Sequence, residues 1–222
     1  RVYSTRSAGQ EGTVALHADI SLAADALQPA LDVHAVWTVT GSGELAVSLR
    51  AHMSAGFPSL PRFGLRLFLP QAMQEVSYYG LGPRESYIDK RRSCRHGEFR
   101  TTVAELHEGC IRPQEGGSRA DCDYVTVSDG ALGLTAVGLR PFSFNASAYT
   151  QEELTRCAHD VELTRCGSTV LCLDGAMAGI GSASCGPELR PEYRVDDEAL
   201  GLDLVLLPTL SSPIPTQHNE VN

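Results

Sequence analysis

A chain of 222 residues with 42% hydrophobic content has room for one large domain or two small ones and can bury a compact core. Its net charge of −9 would repel nucleic-acid phosphates, and no stretch of about 18 apolar residues is present to cross a bilayer as a helix. Nucleic acid and membrane are therefore set aside as partners.

In chain order, the first third reads as strands. In Thr13–Leu22, Val14, Leu16, Ala18 and Ile20 share one face while His17 and Asp19 take the other. Asp32–Thr40 repeats the pattern with Val33, Ala35, Trp37 and Val39. A Gly41-Ser42-Gly43 turn leads into Glu44–His52, where Leu45, Val47 and Leu49 alternate. Trp37, the single tryptophan, is in register with the apolar face and reads as core, not as a sugar platform. Arg62–Leu69 and Gln74–Tyr79 continue the series.

The chain then changes character at Tyr78-Tyr79-Gly80-Leu81-Gly82-Pro83-Arg84-Glu85-Ser86-Tyr87-Ile88-Asp89-Lys90. Gly80 and Gly82 permit backbone angles closed to other residues, and Pro83 withholds an N–H, so a shaped polar loop is expected to interrupt the strand. Beyond it, Phe99–Val103, Tyr124–Ser128, Leu132–Val137, Phe142–Ala146, Val170–Leu173, Glu192–Val195 and Leu202–Leu207 are expected strands. Thr150-Gln151-Glu152-Glu153 has the form of a capping box and predicts a short helix to about Ala158, with Glu153 reaching back to the cap. The pentapeptide Glu-Leu-Thr-Arg-Cys occurs at 153–157 and again at 162–166; the second copy, lacking a cap, reads as strand. An all-β fold follows, a large antiparallel β-sandwich with one short helix. Its span is residues 1–208, and 209–222, with Pro213 and Pro215, form a loosely ordered tail.

The cysteines (Cys94, Cys110, Cys122, Cys157, Cys166, Cys172 and Cys185) are odd in number and lack framework spacing, which points to reduced thiols and a cytoplasmic setting. Cys94-Arg95-His96 and Cys157-Ala158-His159 place one residue between the ligand types, too few for the usual zinc pairs, so no metal is assigned. The N-terminus does not begin with Met and lacks a signal-peptide apolar core, and the sequence reads as cut from a longer one.

Four polar loops recur at strand ends: Gly80–Arg92, Arg112–Asp121, Phe144–Thr150 with His159, and Asp174–Pro187. In a sandwich such loops can gather at one mouth. No nucleophile elbow, phosphate loop or His-Glu-x-x-His is present, and the loop acids Glu85, Asp89, Glu115 and Asp174 have no partner fixed by spacing, so no catalytic residue is assigned.

The segment Gly80–Lys90 resembles the Gly-Leu-Gly-Pro-x-Glu-x-Tyr-x-Asp-Arg/Lys signature of the C-terminal domain of family 2 β-galactosidases. Pro113-Gln114-Glu115-Gly116-Gly117-Ser118-Arg119, Phe144–Thr150 with Leu154–His159, and Asp174-Gly175 through Gly179-Ile180-Gly181 to Cys185-Gly186-Pro187 resemble further family motifs in the same order. The resemblance implies the supersandwich also seen in galactose mutarotases. It implies a domain that lends loops to the rim of a pocket whose catalytic glutamates lie on an upstream TIM barrel. Partners so implied are that barrel, a β-galactoside and oligomer contacts in the parent. No cofactor is implied on this chain, whereas the parent enzyme is expected to use Mg or Na. By position, Glu85, Tyr87, Asp89, Arg119, His159 and Cys185 are the implied substrate-binding residues, with Gly82 and Pro83 as a loop hinge. Cys185 stands where many members carry a stacking tryptophan, so looser aglycone recognition is expected. Two other readings stand beside this one. The first is a free-standing mutarotase-like epimerase using His96, His107 or His159 with Glu85 or Glu115 as acid and base. The second is a sugar-binding module.

Overall fold

The structure, a computed structural model, describes residues 1–10, 12–23, 28–181 and 186–210. It is a large antiparallel β-sandwich. The strands are β1 (Val2–Gln10), β2 (Thr13–Leu22), β3 (Leu31–Thr40), β4 (Leu45–Met53), β5 (Arg62–Pro70) and β6 (Glu75–Gly82). They continue as β7 (Arg95–Thr102), β8 (Arg119–Ser128), β9 (Leu132–Ser147), β10 (Ser168–Met177) and β11 (Ala199–Leu210). The hydrogen-bonded order is β1-β2-β3-β4-β11-β9-β8-β6-β7, and β5 and β10 lie off that path, β10 pairing both β5 and β9.

β9 makes the sandwich. Leu132–Gly138 pair with β11, whereas Ser143–Ser147 pair with β10, so one strand passes from the broad layer to the narrow one. The sequence reading has two strands here, Leu132–Val137 and Phe142–Ala146, with Pro141, which cannot donate to a ladder, between them. The chain runs on because Leu139–Pro141 fall between the two ladders, where the missing N–H leaves no bond unmade.

The core lies between the layers. Leu171 and Leu173 of β10 and Phe63 of β5 join Val47 and Leu49 of β4 and Leu202 and Leu204 of β11 in one cluster. Residues Val170 to Asp174 of β10 are buried without a break, and Gln151 of helix α1 (Gln151–Arg156) reaches its other face at Cys172.

Several expectations are corrected. β1, nine residues long, carries too little apolar alternation to be read as a strand, and every one of its side chains is exposed; it is held by its backbone pairing to β2. Thr150 does cap α1, accepting the Glu153 N–H at 3.1 Å, but the helix ends at Arg156. Glu153 turns away from the cap to bind Arg156 and the Thr164 N–H. The second Glu-Leu-Thr-Arg-Cys copy is not a strand: its glutamate ends a 3-10 turn, Asp160–Glu162, and β10 starts only at Ser168. Glu192–Val195 is likewise no strand, because Pro191 opens a 3-10 turn over Pro191–Tyr193, leaving Val195 a single bridge to Leu60. β11 extends to Leu210, two residues into the segment assigned to the tail, and residues 211–222 lie outside the described residues.

Candidate functional site

β6 passes Gly80 unbroken and ends at Gly82, and the expected loop follows from Pro83. Neither has a positive φ. Their role is close approach: a Cβ on Gly80 would strike Cys122 of β8, and one on Gly82 would lie 2.8 Å from the Phe99 ring and against the Tyr78 hydroxyl.

Past Gly82, the loop is tied to its neighbours at successive residues. Pro83 offers its carbonyl to Arg119 at 2.9 Å. Glu85 pairs with Lys90 and accepts the Gly117 N–H at 2.9 Å. Ser86, fully buried, donates to the Leu81 carbonyl, accepts the Ala120 N–H at 2.8 Å and gives its own N–H to Ser118. Asp89 accepts the N–H groups of Ile180 and Gly181 at 3.1 and 2.9 Å. The second and third loops are joined by Asn145, which donates to the Gly116 carbonyl. Arg62 on β5 links the second and fourth, binding Glu115 and, with two nitrogens, Asp174. Sequence segments nearly 100 positions apart thus share one end of the sandwich.

The sequence-derived site residues occupy different stations in this network. Arg119 is 3% exposed, with its guanidinium shared among Tyr78 and the carbonyls of Pro83, Gly117 and Ser118. Tyr87 is also 3% exposed, and burial pushes its hydroxyl well above the usual tyrosine range. Glu85 and Asp89 face inward to loop backbone. His159 sits apart on the surface, 3.2 Å from Glu162. Cys185 lies outside the described residues. Two residues unassigned from sequence, Arg62 and Tyr78, are central to the network. Arg62 opens a strand that looked purely structural, and nothing in its local pattern signals the distant carboxylates it joins.

Charge at this end is compensated internally. Burial favours the neutral form of Glu85, but hydrogen bonds from Lys90 and Gly117 outweigh it and hold the carboxyl below its ordinary value. Burial raises Asp174, and the bidentate Arg62 contact draws it back only in part. Burial pushes the Cys172 thiol up to about 11 and Cys122 higher still, which suits inert core thiols. Six cysteines are unpaired among the described residues. No group of three or more His, Cys, Asp or Glu among the described residues is placed to hold a metal.

The histidines proposed as acid or base are engaged elsewhere: His96 is 2.9 Å from the Asp121 carbonyl, and His107 is 3.2 Å from the Asp160 carboxylate. Neither they nor His159 hydrogen-bond to Glu85 or Glu115. Between the first and fourth loops a cleft of about 320 Å³ opens, bordered by Ile88, Arg91, Ser143, Met177 and Tyr193. Between the second and third, a space of about 10 Å³ among His107, Glu115, Asn145 and Tyr149 holds at most one water. No helix among the described residues is long and apolar enough to cross a membrane.

The model of the family described as beta galactosidase small chain matches residues 2–206. A β-galactosidase of Staphylococcus xylosus is 39% identical over 197 residues, covering 89% of this chain and 20% of that one. A β-galactosidase small subunit of Latilactobacillus sakei is 32% identical over 207 residues, covering 87% of this chain and 63% of the subunit. Among solved structures, a GalM/aldose epimerase homologue from C. elegans superposes with a TM-score of 0.47 at 10% identity, covering 94% of this chain and 69% of that one. The chain spans 15 to 20% of the length of two β-galactosidases it matches, those of Actinobacillus pleuropneumoniae and Staphylococcus xylosus.

Proposed function

Since the chain belongs to the beta galactosidase small chain family, we propose that it is the last domain of a family 2 β-galactosidase, or the equivalent separate subunit. In this reading it shapes one wall of a pocket for terminal β-galactosides, and the reacting glutamates come from polypeptide outside this chain. The observation that carries the reading is one of proportion. The chain matches only 15 to 20% of the length of two β-galactosidases, yet 63% of a relative named as a small subunit.

The loop chemistry supports it. Glu85 and Glu115 are each committed to a cation, Lys90 and Arg62, and are poor choices for a glycosidase acid and nucleophile. Glu85, Tyr87, Asp89 and Arg119 serve the rim by fixing the loops that form it. Ile88 and Arg91 line the cleft.

The test is turnover of nitrophenyl β-galactoside by this chain alone and after mixing with the separately produced remainder of the parent enzyme. No turnover alone and turnover on mixing are expected. Hydrolysis by this chain alone would overturn the proposal.

A further inference from the structure

The two layers are unequal in width, and the mismatch leaves an apolar surface uncovered. On the broad layer, Val14, Leu16, Ala18, Ile20 and Leu22 of β2 stand in register with Val39, Trp37, Ala35, Val33 and Leu31 of β3. The same face is buried in β4 and β11, where Val47, Leu49, Leu202 and Leu204 meet the narrow layer. Toward β2 the cover ends: Leu16 is 43% exposed, Leu22 48% and Val14 55%.

What stops the cover is β5, which among the described residues pairs only with β10. A groove of about 410 Å³ runs beside it, with Ile20, Leu22 and Trp37 on the opposite wall. Consecutive residues Arg62 to Arg66 all line this groove. Side chains alternate between faces, so a groove over one face would meet every second residue; this one follows the strand's open edge. Open edges are normally blunted by charge or proline. Here Arg62 is held by Asp174 and Glu115, and Arg66 by Gln151 and Glu152, which leaves the backbone edge unguarded.

We infer that an extended segment of the parent β-galactosidase outside this chain, apolar at alternate residues, adds to β5 as a strand and seats those residues against Ile20, Leu22 and Trp37. A strand fits because it satisfies both surfaces at once: its backbone completes the β5 ladder, and one face of its side chains continues the core. The supply is consistent with the length of relatives, of which this chain accounts for a small fraction. The inference rests on the reading given under Proposed function and adds where the two polypeptides join.

Hydrogen–deuterium exchange on this chain, free and mixed with the remainder of the parent enzyme, tests it. Amides within residues 62–70 are expected to slow by about tenfold or more on association, as newly laddered backbone does. Leu22→Glu, at a side chain already half exposed, should leave the melting temperature of the free chain unchanged and weaken association about tenfold or more. Val161→Glu, at a site 91% exposed, should alter neither. Association with unchanged exchange in 62–70 overturns this inference and leaves the broader reading standing. So does self-association of the free chain that Leu22→Glu abolishes, because the occupant would then be a second copy. Failure of every variant, and of the unaltered chain, to associate or restore turnover brings down both.

Discussion

The loop end and the β1–β3 wing solve opposite problems with the same backbone pairing. At the loop end, Glu85, Ser86, Asp89, Arg119, Asn145 and Asp174 are bonded to one another's loops, so most of its polar groups are satisfied within the chain, the buried Ser118 hydroxyl being an exception. On the wing, the sheet is laddered from β1 to β4, yet its apolar face is covered only in part: Val33 and Ala35 are buried, whereas Val14, Leu16 and Leu22 are exposed. The contrast shows that hydrogen bonding and burial are completed separately. A strand can be fully paired while its side chains still await a partner.

The strongest way to break this contrast is at the buried end of the loop network. Asp174→Ala leaves Arg62 charged and only Glu115 to compensate it, with an expected loss of about 3–5 kcal/mol in denaturant unfolding. A loss below about 1 kcal/mol would mean that Arg62 escapes to water and that the network is not what holds the loops.

A paired truncation sharpens the wing. Leu204→Ala, where the side chain is 1% exposed, should cost about 2–5 kcal/mol. Leu16→Ala, on the same face of the same layer, should cost well under about 1 kcal/mol in the free chain because half of that side chain is already in water. Equal losses would show that the wing is covered in the free chain.

At Gly82 the effect should be intermediate. Gly82→Ala pushes a methyl into Phe99 and the Tyr78 hydroxyl, and thermal melts should report about 1–3 kcal/mol of destabilisation. Replacing a glycine of the exposed turns would not produce this steric loss.

The smallest effect is one of pH. Glu85 is held below its ordinary value of 4.5, so its contribution is full above about 4.5 and fades as pH falls through the lower folded-state value. Glu85→Gln should therefore be less stable than the unaltered chain at neutral pH, by about 1 kcal/mol or less because Lys90 is largely solvated. That gap should close in acid. A gap that stays constant from pH 7 to about 3 would assign the loss to packing, not to the carboxylate charge.

Much of this fold was legible in the residues. Alternation in β2, β3, β4 and β5 placed each strand within a residue or two, because a half-buried strand repeats every second position and sequence records that directly. The Gly80–Lys90 segment and its three companions marked the loops that converge. β1 escaped notice since its side chains are exposed and only its backbone is engaged. The site was legible as a set of loops but not as a set of roles. The resemblance implies substrate contact for Arg119 and Tyr87, and only the fold shows that both are buried.

By itself, then, the sequence determined an all-β chain, its strand faces and the identity of the polar loops, since periodicity and turn chemistry are local properties. The tertiary structure alone decided that β9 joins two layers, that Arg62 binds carboxylates more than 50 and 110 positions away, and that β5 is left with an open edge. Those outcomes depend on which strand lies beside which, and pairing between distant segments leaves no mark in the local pattern of either one.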